Sequence, residues 1–479
     1  MNTSTLLRVG DHDAENPIDS NLRLAFSSMK DHHKPPYPLA VPSPSEYSQL
    51  TRALVYGILT EPHLANTHLT YLHAIVTDGY SLFTSTLVSL SNESYPKLLE
   101  TPRSQLLWVS SKLVQVEAVN VQELIIALLR QIKGGNFSDT NLWLCSEIIT
   151  ILSNNWAWLL DEPLVMTSAL FVFLRLLSDH YRMSGSEALD KLKRIEVAFT
   201  IRVLSDCFPL CLCIGRDLIR LLQDLVNVPE FKDMWLKVLF DPGKFELSEF
   251  RDISQFYKRT TPSHYLLLRI TPEMEAHLRF LLNRVKWGYE KRYQVWFSKK
   301  HLCSPGSETS IIDIVRFICY AHQPSNEIIH PNVTPRWAII SWLLKFCRKN
   351  YLVANVKLAL FYDWLFFDEN VDSIPNIEPA MLLMVNSIDQ HVEVTNNLLE
   401  FLLVLVDNYD VKRKDIIAKG VSTSFSMLVR KKVVHSLESL SSCNFLSPVL
   451  REKLSSVILG AVKKSPMVCT NQVETSHES

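Results

Sequence analysis

Residues 334–368 read TPRWAIISWLLKFCRKNYLVANVKLALFYDWLFFD. Trp337, Ile340, Ser341 and Leu344 recur at the spacing of one helical face. After a short polar turn, Leu358, Phe361, Tyr362 and Leu365 do the same. Leu360, Trp364 and Phe367 make the second segment apolar on its other side too, which predicts a helix buried on both faces. Two adjacent helices, the second enclosed, are the pattern of an inner helix in a stacked helical array. Thr334-Pro335 in front supplies a start signal. The hydroxyl can cap orphan N–H groups, and proline at the first helical position wastes no hydrogen bond.

The same start recurs at Ser43-Pro44, Thr101-Pro102, Thr271-Pro272 and Ser447-Pro448. Ser43 with Glu46 fits a capping box, and Glu273 and Glu275 complement a helix dipole. Apolar periodicity places helices over residues 44–60, 64–90, 102–116, 120–132, 140–154, 163–182, 186–205 and 209–226. Further helices are expected over 230–240, 271–300, 309–322, 335–349, 354–367, 378–388, 392–407, 412–438 and 448–463. With only 12 glycines in 479 residues, many tight β-turns are disfavoured. The reading is all-α: a HEAT-like α-solenoid of stacked antiparallel helix pairs over 43–464, about nine or ten repeats at roughly 40 to 47 residues each. The polar stretch 242–262 is expected to be an irregular connector. Residues 1–42, ending in a proline cluster, and 465–479 are expected to be disordered tails.

A 47% apolar content allows a large core. The net charge of −1 provides no global field for nucleic acid. Nine cysteines, several on apolar helical faces (Cys145, Cys319, Cys347), suit a reducing compartment. The N-terminus lacks a basic-then-apolar signal. The longest apolar run, Leu164 to Leu177, is interrupted by Arg175 and reads as too short to span a bilayer. No membrane role is expected, and the chain reads as soluble and intracellular.

Catalytic signatures are absent from the sequence: no GxxxxGK[ST], GxGxxG, GxSxG or HExxH occurs. Cys207, Cys211 and Cys213 lie in CFPLCLC, with apolar gaps and no second ligand pair, so they read as core thiols rather than a metal site. His63, His68 and His73, five apart, rotate around a helix and read as surface or loop-edge residues. No catalytic, metal or cofactor residue is assigned. Asp363, inside an aromatic helix, needs a cationic partner if buried; Arg336, on the preceding helix, is the candidate.

Two basic clusters remain. Arg284, Lys286, Lys291 and Arg292 flank Trp287, Tyr289 and Tyr293. Basic and aromatic residues together can bind a single strand by phosphate contact and base stacking. The favoured alternative is an ordinary amphipathic helix with its aromatics inward. From Asp407 to Lys464, eleven Lys/Arg oppose five Asp/Glu, a net of +6 that includes Lys412, Arg413, Lys414, Arg430, Lys431 and Lys432. This end is either a surface for nucleic acid, an acidic partner or nuclear import, or a solvated face where further chain docks.

The strings RWAII and WLL (336–344), NVKLALFYDWLFF (355–367) and SIPNIEPA (373–380) resemble the N-terminal half of Integrator complex subunit 3. In animals that protein also belongs to the sensor of single-stranded DNA (SOSS) complex. LVYGILTEP (54–62), Gln105 and Trp108, QIKGGNFSDTNLWL (131–144), LRLLSDH (174–180), ITPEME (270–275), KRYQVWF (291–297) and PSNE (324–327) match in order. The resemblance covers roughly residues 47–460, and the animal relatives are about twice as long. It implies a non-enzymatic nuclear scaffold. Its partners would be an OB-fold single-stranded-DNA-binding protein, a small extended third subunit of the SOSS complex and other Integrator subunits, with nucleic acid contacted through the OB-fold protein. The implied roles are small nuclear RNA 3′-end processing, transcription attenuation and the DNA damage response. The runner-up is an α-solenoid that binds nucleic acid directly through the basic clusters at 284–293 and 412–464.

Overall fold

The computed structural model describes residues 5–8, 10, 14–29, 34–37, 42–183, 185–245, 250–323, 332–441 and 447–462. The chain is all-α. Among the described residues, strand-like pairing is confined to two isolated bridges, Leu7 with Leu98 and Lys286 with Val333. They divide into two compact units rather than the single domain expected over 43–464. The first runs to Phe317 and includes residues 332–334; the second comprises 318–323 and everything from Pro335 on.

The first unit begins with α1 (Pro17–Ser27), α2 (Pro44–Thr60), α3 (Ala65–Ile75), α4 (Ser81–Ser94), α5 (Glu100–Gln115) and α6 (Val121–Leu129). It continues with α7 (Asp139–Asn154), α8 (Trp156–Asp161), α9 (Pro163–Tyr181), α10 (Glu187–Asp206), α11 (Phe208–Cys211) and α12 (Arg216–Asp224). It closes with α13 (Pro229–Phe240), α14 (Ser254–Tyr257), α15 (Ser263–Leu267), α16 (Pro272–Asn283), α17 (Glu290–His301) and α18 (Ser310–Arg316).

The expected N-terminal tail contains α1. Asn16 Oδ1 accepts from the amides of Ile18 and Asp19 at 3.0 and 3.1 Å. Leu22, Ala25 and Met29 are buried, and α1 packs on α2. The average polarity of the segment hides this stripe at i, i+3 and i+7. The helix expected over 64–90 is two. Asp78 accepts from the amides of Tyr80 and Leu82 at 3.0 and 2.9 Å and from the Tyr47 hydroxyl at 2.5 Å. Gly79 and Tyr80 take φ of 62° and 72°, which no continuous right-handed helix accommodates. The helix expected over 209–226 is likewise broken at Gly215.

At the centre lies α9, packed on α6, α8, α10 and α12. Its 19 residues are long and apolar enough, by length and composition, to cross a membrane, so the length expected from the apolar run alone is too short. Here it is enclosed by neighbouring helices, with 89% of its apolar window buried. Arg175 is the middle of its polar contacts rather than an interruption. Its Nη1 donates to Asp179 at 2.8 Å, and its Nε lies 3.3 Å from Asp313. A second enclosed network centres on Asp217, which accepts from Arg220 at 2.8 Å and Arg316 at 2.7 Å.

Residues 263–310 fold back onto the earlier helices. The Tyr265 and Thr167 hydroxyls meet at 2.9 Å, Arg130 donates to Glu275 at 2.5 Å, and Arg175 donates to the Thr309 carbonyl at 2.9 Å. The QIKGGNF loop makes the closest approach. Gly135 has φ of 65°, and a Cβ there would sit 2.2 Å from the Gly306 carbonyl oxygen. Between 242 and 262 the described chain is a short turn and α14. It still contributes aromatics: Phe245 stacks on Phe208 with centroids 3.8 Å apart.

The second unit comprises α19 (Arg336–Leu344), α20 (Asn350–Leu365), α21 (Ile374–Asn386), α22 (Val392–Asn408), α23 (Lys414–Arg430), α24 (Glu438–Ser441) and α25 (Pro448–Val462). Every residue from Ala359 to Phe367 is buried, because α20 packs on α21, α22 and α23. Trp364 Nε1 donates to the Ile377 carbonyl at 3.2 Å. Gly420 on α23 lets that helix approach, since a Cβ there would lie 2.4 Å from the Leu365 carbonyl oxygen. On α19 the buried residues are Ala338, Ile339, Ile340 and Leu343, a face rotated from the expected stripe. The expected Arg336–Asp363 pair is corrected. Since α19 packs on α21, Arg336 reaches Glu378 and the carbonyl of Ile318 (3.2 Å); Asp363 is buried in α20. The PSNE string, Lys463, Lys464 and residues 465–479 lie outside the described residues.

Candidate functional site

The single helix expected over 271–300 is a hairpin, and its outer arm is largely exposed. Thr271 caps α16 by accepting from the Met274 amide at 3.3 Å. Met274, Leu278, Leu281 and Leu282 anchor its inner face. The helix stops at Arg284 because residues 332–334 take over the backbone: the Thr334 amide donates to Val285 O at 3.0 Å and the Trp287 amide to Asn332 O at 2.6 Å. Gly288, at φ of 91°, turns the chain into α17.

Helix α17 has the sequence EKRYQVWFSKKH and buries only Phe297 and Ser298. Its aromatics do not face inward, contrary to the favoured expectation. Tyr289 is 74% exposed, Trp287 46%, Trp296 45% and Tyr293 38%. Phe297 is the one apolar side chain that α17 buries. Tyr289, Tyr293 and Trp296 follow i, i+4, i+7 spacing and form one stripe. Phe280 on α16 extends it, 5.5 Å between centroids from Tyr293. Arg284, Lys286, Lys291, Arg292 and Lys299 are exposed; helical spacing puts Arg292 and Lys299 on the flank of the stripe and Lys291 on the far side of α17. Lys300 is held by Glu273 at 2.7 Å. Residues 284–300 hold six Lys/Arg and one acid, Glu290.

Under the stripe, His277 Nδ1 and His301 Nε2 lie 2.9 Å apart. Burial, then the neighbouring His277, push His301 down to about 4. At neutral pH the two rings are therefore neutral, one donating to the other.

The second basic cluster is built differently. Asp407 accepts from Lys414 at 2.6 Å and Lys453 at 3.0 Å; these hydrogen bonds hold its carboxyl below the usual range. Arg413 pairs with Asp410 at 3.1 Å, and Arg430 with Glu369. Lys412, Lys431 and Lys432 are exposed. In this cluster Val411, Ile416 and Val449 are exposed large apolar residues, and none is aromatic.

Cys207 and Cys211 are buried, and Cys213 is exposed with its sulfur 3.0 Å from the Tyr265 hydroxyl. Among the described residues, no group of three or more His, Cys, Asp or Glu could hold a metal ion. His63 and His73 are exposed, but His68 is buried, a correction to the surface reading. Tyr37 and Phe26, from the expected tail, cover it, and Glu61 lies 3.0 Å from its Nε2.

Comparison with known proteins supplies the family. A family model described as Integrator complex subunit 3 N-terminal matches residues 45–456. Integrator complex subunit 3 of Mus musculus is 36% identical over 428 residues, 89% of this chain and 40% of the relative. The human protein is 35% identical over 427 residues, again 89% and 40%. The homolog from Dictyostelium discoideum is 38% identical over 428 residues, 88% of this chain and 28% of the relative. The chain thus spans well under half the length of these relatives. On a match that covers all but the ends of the chain, this protein belongs to the Integrator complex subunit 3 N-terminal family.

Proposed function

We propose that this chain is a non-enzymatic scaffold segment of a nuclear Integrator-type assembly. Its surfaces hold an OB-fold single-stranded-DNA-binding protein, a small extended third subunit of the SOSS type and other Integrator subunits. Its service would be to small nuclear RNA 3′-end processing, transcription attenuation and the DNA damage response. One observation carries the reading. Family-like strings such as LRLLSDH and NVKLALFYDWLFF supply packing, as Arg175, Asp179 and Trp364 do from the interior. Those strings build a folded platform, and all-α arrays of this kind present extended surfaces to partners.

The test is calorimetric titration with size-exclusion chromatography, using the full chain and the source organism's OB-fold single-stranded-DNA-binding protein. Stoichiometric co-elution is the expected outcome. Separate elution at micromolar concentrations, with no heat of binding, would remove the scaffold reading.

A further inference from the structure

We propose that the α16–α17 hairpin is itself a binding site for single-stranded nucleic acid. In the scaffold reading, nucleic acid reaches this chain only through the OB-fold partner, so this inference goes beyond it. Three features coincide on one surface. Tyr289, Tyr293 and Trp296 form an outward stripe along α17. Arg292 and Lys299 are exposed on the flank of that stripe, and Arg284 and Lys286 on the turn before the helix. Acids are scarce: Glu290 is the one acid among residues 284–300, and Glu273 is already engaged by Lys300.

Exposed rings give unpaired bases a face to stack on, and flanking cations follow the phosphates. A duplex fits poorly, since its bases are already stacked and the rings would meet only backbone. An acidic polypeptide would satisfy the cations, but its carboxylates give the three outward rings little to stack against. The His277–His301 pair beneath Trp296 supports the platform, with ring centroids of His277 and Trp296 4.6 Å apart.

The experiment is fluorescence anisotropy of labelled 20-nucleotide oligo-dT and oligo-U with the full chain and no partner protein. Binding is expected at low salt, weakening roughly fiftyfold between 50 and 200 mM, as about four phosphate contacts imply. Tyr289→Ala/Trp296→Ala should weaken it about tenfold or more, as should Arg292→Glu/Lys299→Glu. The two cations and Tyr289 are exposed, while Trp296 rests on His277, so circular dichroism and melting check that each variant is folded. Lys431→Glu/Lys432→Glu should leave affinity within about twofold, since this exposed pair belongs to the second unit and not to the proposed site. Preference for one oligomer identifies DNA or RNA as the ligand. Absence of binding at 50 mM salt overturns the proposal. So does undiminished binding by the aromatic variant, or loss confined to the Lys431/Lys432 variant. A poly-glutamate peptide that binds where the oligonucleotides do not would reassign the surface to an acidic protein. None of these outcomes depends on the OB-fold titration, so the two readings fail separately.

Discussion

The centre of the first unit and its α16–α17 hairpin use the same residue types to opposite ends. Around α9, α12 and α18, arginines are fully buried, and acids stand within reach: Asp179 and Asp313 for Arg175, Asp217 for Arg220 and Arg316. On α17, cations and aromatics turn outward; Glu290 is the one acid in the segment and Glu273 engages only Lys300. The contrast teaches that it is local acid supply, more than the count of cations, that decides whether an arginine-rich segment is core or surface. The second basic cluster lies between these extremes. It is exposed, but Asp407, Asp410 and Glu369 already engage four of its cations.

The sharpest way to break the comparison is to remove an acid from the core. Asp217→Ala leaves Arg220 and Arg316 buried without their carboxylate and should cost about 3–5 kcal/mol by urea denaturation. A loss below about 1 kcal/mol would mean that the interior tolerates lone cations and that acid supply is not the discriminator. Burial alone would raise this carboxyl, yet Arg316 and Arg220 hold it well below the ordinary carboxylate value. A depressed carboxylate contributes stability above its unfolded pKa, near 3.9, and that contribution is lost as pH falls through the folded value. The core network should therefore be intact at pH 5.

The hairpin should not be. His301 titrates near 4 in the folded chain against about 6.5 when unfolded. Between those values the unfolded state binds more protons, so stability rises with pH across the window and falls on acidification. The expected loss from pH 7 to 4 is roughly 1–2 kcal/mol after allowance for partial exposure. Hydrogen exchange at pH 7 and 5 should show α16–α17 opening first, and His301→Gln should flatten the response. Uniform weakening of the whole first unit would erase the distinction between the regions.

Much of this is legible in the sequence. The apolar runs place α2, α7, α9, α20 and α22 within a residue or a few of their observed ends, and Ser43 with Glu46 forms the expected capping box. What escapes has local causes. The Asp78-Gly79 turn is absorbed into an apolar pattern that continues past it, and α1 is lost in a polar average. Arg336 finds Glu378 because pairing follows helix contact, which sequence order does not give. The orientation of α17 is undetermined by pattern: its periodicity permits an aromatic face, but whether that face meets protein depends on what the fold places opposite. Arg175 carries a readable signal, as a charge inside an apolar helix with Asp179 four residues on implies an enclosed pair.

A smaller effect separates the two exposed clusters. Asp407→Ala releases Lys414 and Lys453 in solvent, where such pairs contribute at most about 1 kcal/mol. Melting should shift little, while retention on a cation-exchange column should rise. If that variant gained oligonucleotide binding equal to the hairpin's, neutralisation by acids alone would distinguish the clusters, and the aromatics would be incidental.

The smallest expected change is the most discriminating. Tyr289→Ala removes a ring that is 74% exposed and follows the turn, just ahead of α17. Its side chain leaves little apolar area to lose, and surface substitutions of this kind fall within about 0.5 kcal/mol. Calorimetric melting should be unchanged. A loss of about 2 kcal/mol or more, the scale of a buried side chain, would show that the ring packs in solution, turning α17 into a second interior rather than a surface. Unchanged melting leaves a large aromatic side chain outside the fold's own energetics and open to a ligand.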